Sequence, residues 1–254
     1  MAGHSKWKNI QHRKGSQDKK RSRLFTKLGV DLQVASRTGG EDPASNPRLR
    51  MAISKARDAN MPRDIIERHI QRGQSRLNSE EEYKEKLYEG YGPGGTAIIV
   101  ECLTDNVNRT ASEMRFLFSR GHGQMAGSGS VTWMFERCGL LVFKNISPVE
   151  QKQLWEHAIT LDAHDVTDHL NGQELTLEAM VPTQNFAEIK EALEQIKPSE
   201  FAEIIWHPKS TVEVGPEDHE SLTKLLESLD DNQDVQAVYD NSFFIQKNLK
   251  SDII

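Results

Sequence analysis

The sequence lacks any long apolar segment, since no run approaches the roughly 20 apolar residues that a helix needs to cross a bilayer. Its amino terminus is charged, but no apolar stretch follows that charge, so it does not resemble a secretory signal. Cysteine is scarce as well, because Cys102 and Cys138 are the two in the chain and they form no CxxC pair. We therefore expect a cytoplasmic protein with two buried thiols, no disulfide and no membrane partner.

Sequence signatures of catalysis are missing too. The chain has no GxSxG or Cys/His arrangement for nucleophilic chemistry, and the carboxylates of residues 77–254 are spread out rather than paired. The glycine-rich segment 90–95 lacks the Gly-Lys-Ser/Thr ending of a phosphate loop, so we interpret it as a tight turn between two strands. These absences predict a protein that is not an enzyme, with no cofactor and no small-molecule substrate.

One group of histidines and acids leaves an alternative open. Imidazoles and carboxylates together suit a divalent metal, but the segment lacks the HxxxH or HExxH spacing by which a helix presents zinc ligands. The favoured prediction is a solvated connection between a helix and a strand, without bound metal; the alternative is a metal-dependent hydrolase. The residues concerned are His157, Asp162, His164, Asp165, Asp168 and His169.

Acidic residues are almost absent from the first 27 positions, which hold nine Lys or Arg against the single acid Asp18, a net charge of +8. Residues 1–76 carry 18 basic and 7 acidic residues, net +11, whereas residues 77–254 carry 14 basic and 31 acidic residues, net −17. A basic segment with an aromatic residue, Trp7, suits a polyanion, because cations displace condensed counterions and a ring can stack on a base. Nucleic acid is the predicted partner.

The alternative for this basic segment is a solvated, disordered tail. Trp7 and Ile10 argue against it, because apolar side chains contribute nothing to a segment that serves only solubility. The basic residues also continue as Lys20, Arg23 and Lys27, at the spacings that place side chains on one face of a helix. Histidines His4 and His12 belong to the same segment, as do Lys6, Lys8, Arg13, Lys14, Lys19 and Arg21.

The periodicity of apolar residues predicts an α+β protein with a helical amino-terminal bundle. Leu24, Leu28 and Leu32 form the stripe of a first helix, Asn46-Pro47 begins a second, and a third begins after Pro62 and is closed by Gly73. Further on, strands are predicted at 84–91, 96–103, 131–135, 140–144, 165–170, 174–181, 201–206, 210–214 and 235–240. Helices are predicted at 106–119, 148–160, 185–196 and 217–229.

The order of these elements predicts two α/β domains, one inserted into the other. Residues 139–206 contain a complete β-α-β-β-α-β unit of ferredoxin-like order. The elements on either side are each too few to bury a sheet, so 83–136 and 208–241 are expected to form one discontinuous domain, preceded by the basic arm and helical domain at 1–76. The glycine-rich stretch 121–129 inside it is either a flexible connection or a nucleic-acid contact.

Long motifs spread from residue 1 to about residue 136 resemble the YebC/PmpR family. They are Met1-Ala-Gly-His-Ser-Lys-Trp-Lys-Asn-Ile10, Gln17-Asp-Lys-Lys-Arg21, Phe25-Thr-Lys27, Asn46-Pro-Arg-Leu-Arg50, Asn60-Met-Pro-Arg-Asp64, Tyr88-Glu-Gly-Tyr-Gly-Pro-Gly-Gly-Thr96, Asn106-Val-Asn-Arg-Thr110 and Gly129-Ser-Val131. Two stretches depart from the family pattern. Residues 121–127 replace the usual Gly-Gly-Asn-Leu-Gly run, and Asp162-Ala163 replaces a Gly-Ala pair.

The resemblance implies a helical domain followed by two α/β domains, and a nucleic-acid-binding regulator of gene expression. Members are described as transcriptional regulators that bind promoter DNA, and relatives, including the mitochondrial translational activator of cytochrome oxidase subunit I, act on ribosomes and ease elongation through proline-rich sequence. Partners implied here are therefore promoter DNA or, alternatively, the ribosome and its RNA. The nucleic-acid surface that the resemblance implies consists of His4, Ser5, Lys6, Trp7, His12, Arg13, Lys14, Lys19, Lys20, Arg21 and Lys27.

Overall fold

A computed structural model describes residues 17–75, 83–171 and 174–244. These residues form the expected α+β fold, and they divide into two compact units. One unit contains the described residues up to 133 together with 210–244, and the other contains those between 134 and 209. The finer predicted boundaries, with 139–206 as a separable domain, stay a prediction.

The helices and strands follow the predicted order. The helices are α1 (Gln17–Gly39), α2 (Pro47–Asp58), α3 (Arg63–Ser75), α4 (Val107–Arg120), α5 (Pro148–Thr160), α6 (Phe186–Glu194) and α7 (Pro216–Asp230). The strands are β1 (Lys84–Tyr91), β2 (Ala97–Thr104), β3 (Gln124–Ala126), β4 (Phe135–Phe143), β5 (Asp165–Asn171), β6 (Glu174–Val181), β7 (Phe201–Pro208), β8 (Val212–Val214), β9 (Val235–Asp240) and β10 (Ser242–Phe244).

Helices α1, α2 and α3 form a small bundle. Asn46 caps α2 by accepting a hydrogen bond from the Leu49 backbone N–H at 3.0 Å, and a proline occupies the first helical position. Gly73 was predicted to end α3, but it lies inside the helix. Helix α1 passes closely at this point, since a Cβ at Gly73 would lie 2.0 Å from Ser36 Oγ. The bundle core consists of Leu32, Ala35, Leu49, Ala52, Ile53, Ala56, Met61 and Ile66.

A four-stranded antiparallel sheet of order β3-β1-β2-β9 forms the rest of this unit. Strand β9 comes from the far end of the chain and completes the sheet beside β2. Helices α4 and α7 cover one face, and β8 and β10 add a separate parallel pair. The core on this face includes Ile98, Val100, Met114, Phe118, Leu222, Leu225, Leu229 and Val235.

The second unit is a sheet of order β5-β6-β4-β7 with every neighbouring pair antiparallel. With two helices between its strands, this is the ferredoxin-like arrangement that the element order predicts. Helix α5 begins with a capping box, in which Ser147 and Glu150 each bond the other's backbone N–H. Gly139 on β4 leaves room for Phe186 of α6, whose ring would lie 2.2 Å from a Cβ at that position.

Local structure differs from the prediction at residues 131–135 and at two short strands. The predicted strand at 131–135 is a short 3₁₀ turn, Thr132–Met134, and β4 begins directly after it. Strands β3 and β10 were not predicted, because three residues are too few to show an alternating pattern. The predicted turn after β1 is confirmed: Gly94 and Gly95 have φ angles of 71° and 74°, which favour glycine.

Both cysteines are buried free thiols, as predicted. Burial raises the pKa of Cys102 to about 12, so this thiol stays protonated at neutral pH. Among the described residues, no helix is long and apolar enough to cross a membrane.

Candidate nucleic-acid interface

The predicted nucleic-acid surface is only partly visible in the described residues. Eight of its members lie outside them: His4, Ser5, Lys6, Trp7, Lys8, His12, Arg13 and Lys14. Lys19, Lys20 and Arg21 lie in the first turns of α1. Arg23 and Lys27, which follow on the same helix, are the two members whose side-chain environments are defined.

Lys27 is buried, with 9% of its surface exposed, and its ammonium group binds the end of a distant helix. Its Nζ donates to the backbone carbonyl of Asp230 at 2.6 Å and to Asp230 Oδ1 at 3.1 Å. Asp230 is the last residue of α7, so the cation satisfies a terminal carbonyl and lies at the negative end of the helix dipole. One turn earlier on α1, Arg23 forms an ion pair with Asp231.

This contact gives the basic face of α1 a partner within the protein. The ammonium of Lys27 is enclosed by protein, so its placement favours a role in docking α1 rather than in binding phosphate. Arg23 is half exposed but shares its charge with Asp231. Neither pair could be predicted from local spacing, because the two partners are about 200 residues apart along the chain.

Replacing Lys27 by Met is expected to destabilise the protein by about 1.5–3 kcal/mol, because it keeps the aliphatic stem but leaves the Asp230 carbonyl and carboxylate without their charged donor. Urea unfolding monitored by circular dichroism measures this loss. Lys224→Met is the matched control, since Lys224 is exposed and pairs with Glu220 one turn away, and it should cost less than about 0.5 kcal/mol. Equal losses for the two variants would contradict a structural role for Lys27.

A second ionic contact joins the bundle to the sheet. Arg48 of α2 lies 2.6 Å from a carboxylate oxygen of Glu85 on β1 and 3.7 Å from one of Asp31 on α1. Burial raises the pKa of Asp31, while Lys55 and Arg48 act in the opposite direction. Part of the positive charge of the bundle is therefore used to hold it against the acidic part of the chain.

The glycine-rich loop after α4 is anchored by a buried carboxylate. Glu89, 2% exposed, accepts hydrogen bonds from the backbone N–H groups of Gly129 at 2.7 Å, Val131 at 2.8 Å and Thr132 at 2.9 Å. Burial alone raises the pKa of Glu89, but hydrogen bonds from these loop residues outweigh it and lower that pKa below its usual value. The end of this loop is thus fixed to β1.

Two aromatic side chains converge on the same loop. The hydroxyl of Tyr91 and the indole N–H of Trp133 both donate to the carbonyl of Ser130, at 3.2 Å and 3.0 Å. Trp133 is 66% exposed. Sequence reasoning placed it in a strand and missed its exposure.

A buried polar network holds the start of α4 against the start of β9. Asp234 accepts hydrogen bonds from Arg109 at 2.8 Å, from Thr110 at 2.7 Å and from Thr104 at 3.3 Å. The bond to Asp234 is the main reason that the pKa of Arg109 is raised. The Asn106-Val-Asn-Arg-Thr110 motif therefore has a structural role here, since Asn106 also caps α4 by accepting from the Arg109 backbone N–H.

The histidine and acid cluster at 157–169 does not converge. His157 Nδ1 lies 2.8 Å from the Gln153 carbonyl, Asp168 accepts a hydrogen bond from Gln151, and His169 faces Glu178 at 3.8 Å. Within the described ranges, no group of three or more His, Cys, Asp or Glu side chains is arranged to hold a metal ion.

Comparison with known proteins decides the family. Residues 5–76 match the model of the TACO1/YebC protein N-terminal domain, and residues 83–242 match that of the TACO1/YebC second and third domains. The chain belongs to the TACO1/YebC family. The resemblance seen in its motifs is thereby confirmed, and it extends through the carboxyl half, where the motifs were weak.

Curated members of the TACO1/YebC family cover nearly the whole chain. A probable transcriptional regulatory protein of Caldanaerobacter subterraneus subsp. tengcongensis is 45% identical over 95% of this chain and 98% of its own length. One from Geobacter sulfurreducens is 44% identical over 95% of each chain. Both names describe regulators rather than enzymes.

A solved structure shares the fold. The crystal structure of a conserved hypothetical protein from Aquifex aeolicus is 40% identical, with a TM-score of 0.78 over 92% of this chain and 94% of that one. The helical bundle and the α/β domains described above are therefore those of the family.

Proposed function

We propose that this TACO1/YebC family member is a non-enzymatic, cytoplasmic, nucleic-acid-binding regulator of gene expression whose basic amino-terminal segment makes the main phosphate contacts. The observation that carries this proposal is the charge asymmetry, with net +8 on residues 1–27 and net −17 on residues 77–254. Phosphate contacts supply most of the affinity for nucleic acid, and an acidic remainder repels the polymer from other surfaces.

The contacts of α1 narrow the proposed surface. Because Lys27 and Arg23 bind Asp230 and Asp231, the phosphate contacts are proposed to come from residues before Arg23. Trp7 is proposed to stack on a base. The basic residues of this surface are Lys6, Lys8, Arg13, Lys14, Lys19, Lys20 and Arg21, with His4, Ser5 and His12 among them.

The proposed target is promoter DNA, which fits the names of the curated relatives. The ribosome and its RNA are the second candidate, and Trp7 is the feature that favours them. Bases in duplex DNA are already stacked on one another, whereas unpaired RNA bases are open to an aromatic side chain. Both polymers present the same phosphates, so the basic residues do not discriminate between them.

Equilibrium binding of the full chain at several salt concentrations tests the general proposal. With duplex DNA, log K should fall with log salt with a slope of about −0.9 for each phosphate contacted, and with single-stranded RNA the slope should be about −0.7 for each. A chain that binds neither polymer, or binds without dependence on salt, would contradict the proposal.

Replacing Trp7 by Ala should separate the two targets. If the indole stacks on an unpaired base, the substitution should cost about 1–3 kcal/mol of binding free energy with single-stranded RNA and much less with duplex DNA. Fluorescence anisotropy with matched labelled oligonucleotides measures both. Equal losses on the two substrates would make Trp7 a packing residue and remove the argument for RNA.

Crosslinking in intact cells, followed by sequencing of both the attached DNA and the attached RNA, identifies the physiological target. Enrichment of promoter fragments supports transcriptional regulation. Enrichment of ribosomal RNA supports the translational alternative.

A further inference from the structure

The outer face of α4 carries a charged and aromatic stripe that the proposed function does not use. The inner face of the helix is packed, with Met114 and Phe118 fully buried against the sheet. The outer stripe occupies an arc of about 140° on a helix with 3.6 residues per turn. Its exposed members are Asn108, Ser112, Arg115, Phe116, Ser119 and Arg120.

Phe116 is the apolar member of this stripe and is 61% exposed. A helix that docks into a protein groove presents several apolar residues at i, i+3, i+4 and i+7. Here the phenyl ring is surrounded by arginine, serine and asparagine instead, so the stripe does not match that pattern.

The two arginines of the stripe have uncompensated charge. Neither Arg115 nor Arg120 forms an ion pair or a hydrogen bond with another residue in the described part of the chain, whereas Arg109 on the same helix is held by Asp105 and Asp234. The single acid of the helix, Glu113, is partly buried and accepts a hydrogen bond from Asn232. This exposed positive charge lies within a segment, 77–254, whose net charge is −17.

We propose that the outer face of α4 is a second nucleic-acid contact, in which Arg115 and Arg120 bind phosphates and Phe116 packs against a base or sugar. Arg115 and Arg120 lie at the two margins of the stripe, about 7.5 Å apart along the axis, and their planar guanidinium groups match phosphate geometry. An exposed aromatic ring between two cations provides stacking together with charge neutralisation. This inference rests on the proposed function, because it adds a site to the same polymer.

The test is a double charge reversal, Arg115→Glu with Arg120→Glu, in the full chain. Affinity for duplex DNA at about 0.1 M salt should fall at least tenfold, and the slope of log K against log salt should be shallower by about 1.8 for the two lost contacts. Lys152→Glu with Lys224→Glu is the matched control, since it makes the same charge change at exposed helical positions, and it should stay within about threefold of wild type. Equal losses in the two variants, with equal slopes, would overturn the inference.

A photocrosslinking amino acid with a benzophenone side chain at position 116 identifies what contacts the stripe. Crosslinks to nucleic acid support the proposal, and crosslinks to protein alone overturn it. A wild-type chain without affinity for nucleic acid would overturn both the proposed function and this inference. If wild type binds and the charge-reversed variant matches its control, this inference alone fails. Thermal unfolding of the Arg115→Glu, Arg120→Glu variant should stay cooperative and close to that of its control, because both pairs of side chains are exposed.

Discussion

A chain that begins at residue 17 is expected to bind nucleic acid roughly four-thousandfold more weakly than the full chain at about 0.1 M salt. The deleted segment contains Lys6, Lys8, Arg13 and Lys14 and no acid. Each phosphate contact adds about 0.9 to the slope of log K against log salt on duplex DNA, which corresponds to somewhat less than tenfold in affinity at this salt concentration. Loss of four contacts should therefore flatten the slope by about 3.6, which a salt titration measures directly.

The structure decides where this truncation should end. A longer deletion, through Lys27, would also remove the contacts of Arg23 and Lys27 with Asp231 and Asp230, and any loss of binding would then be mixed with a loss of stability. Ending the deletion before Gln17 keeps α1 whole.

Two controls accompany the truncation. A full-length variant with Lys6, Lys8, Arg13 and Lys14 replaced by Gln should reproduce the loss, and removal of residues 245–254 should leave binding unchanged. An unaltered slope in the chain lacking residues 1–16 would show that the basic segment does not bind phosphate.

Replacing Asp234 by Ala is expected to destabilise the protein by about 3–5 kcal/mol, because it removes the buried carboxylate that accepts from two hydroxyls and a guanidinium. Arg109, Thr110 and Thr104 all donate to this carboxylate, which is 8% exposed. Urea unfolding at neutral pH measures the loss. Since the network joins α4 to β9, which are more than 100 residues apart in sequence, the whole unit should unfold together.

Asp105→Ala is the matched control for Asp234→Ala. Asp105 binds the same guanidinium at 2.9 Å, but its side chain is 37% exposed, so this substitution should cost less than about 1 kcal/mol. Asp234→Asn should lie between the two, because an amide can still accept from a hydroxyl. Similar losses for Asp105→Ala and Asp234→Ala would show that the network contributes no more than a surface ion pair.

Secondary structure was largely predictable because it follows from local patterns. The stripe of Leu24, Leu28 and Leu32 has the helical period, and the alternation of apolar and polar residues in β6 has the period of a strand. The ferredoxin-like order also came from the sequence, since it is a statement about the succession of elements. Residues 131–135 were assigned wrongly, because Val, Thr, Trp and Phe are typical of strands, whereas Glu89 holds the backbone N–H groups of Val131 and Thr132 in a turn.

The proposed interface rests on composition for its chemistry and on packing for its members. The excess of Lys and Arg at the amino terminus is a property of composition and points to a polyanion whatever the fold. Which cations remain available is a property of packing. Lys20, Arg23 and Lys27 lie on the same face of a helical wheel. In the structure, however, Arg23 forms an ion pair with Asp231 and Lys27 forms one with Asp230.

By itself, the sequence determined the class of fold, the order of the elements, the charge polarity and the family. Each of these depends on residue types and on short spacings along the chain. Only the tertiary structure decided that Glu89 anchors the loop, that Asp234 binds Arg109, and that Arg115 and Arg120 of α4 have no ion-pair partner within the described residues. The physical reason is that ion pairs and buried hydrogen bonds depend on distances of about 3 Å between side chains, and packing alone sets those distances for residues 40 to 200 positions apart.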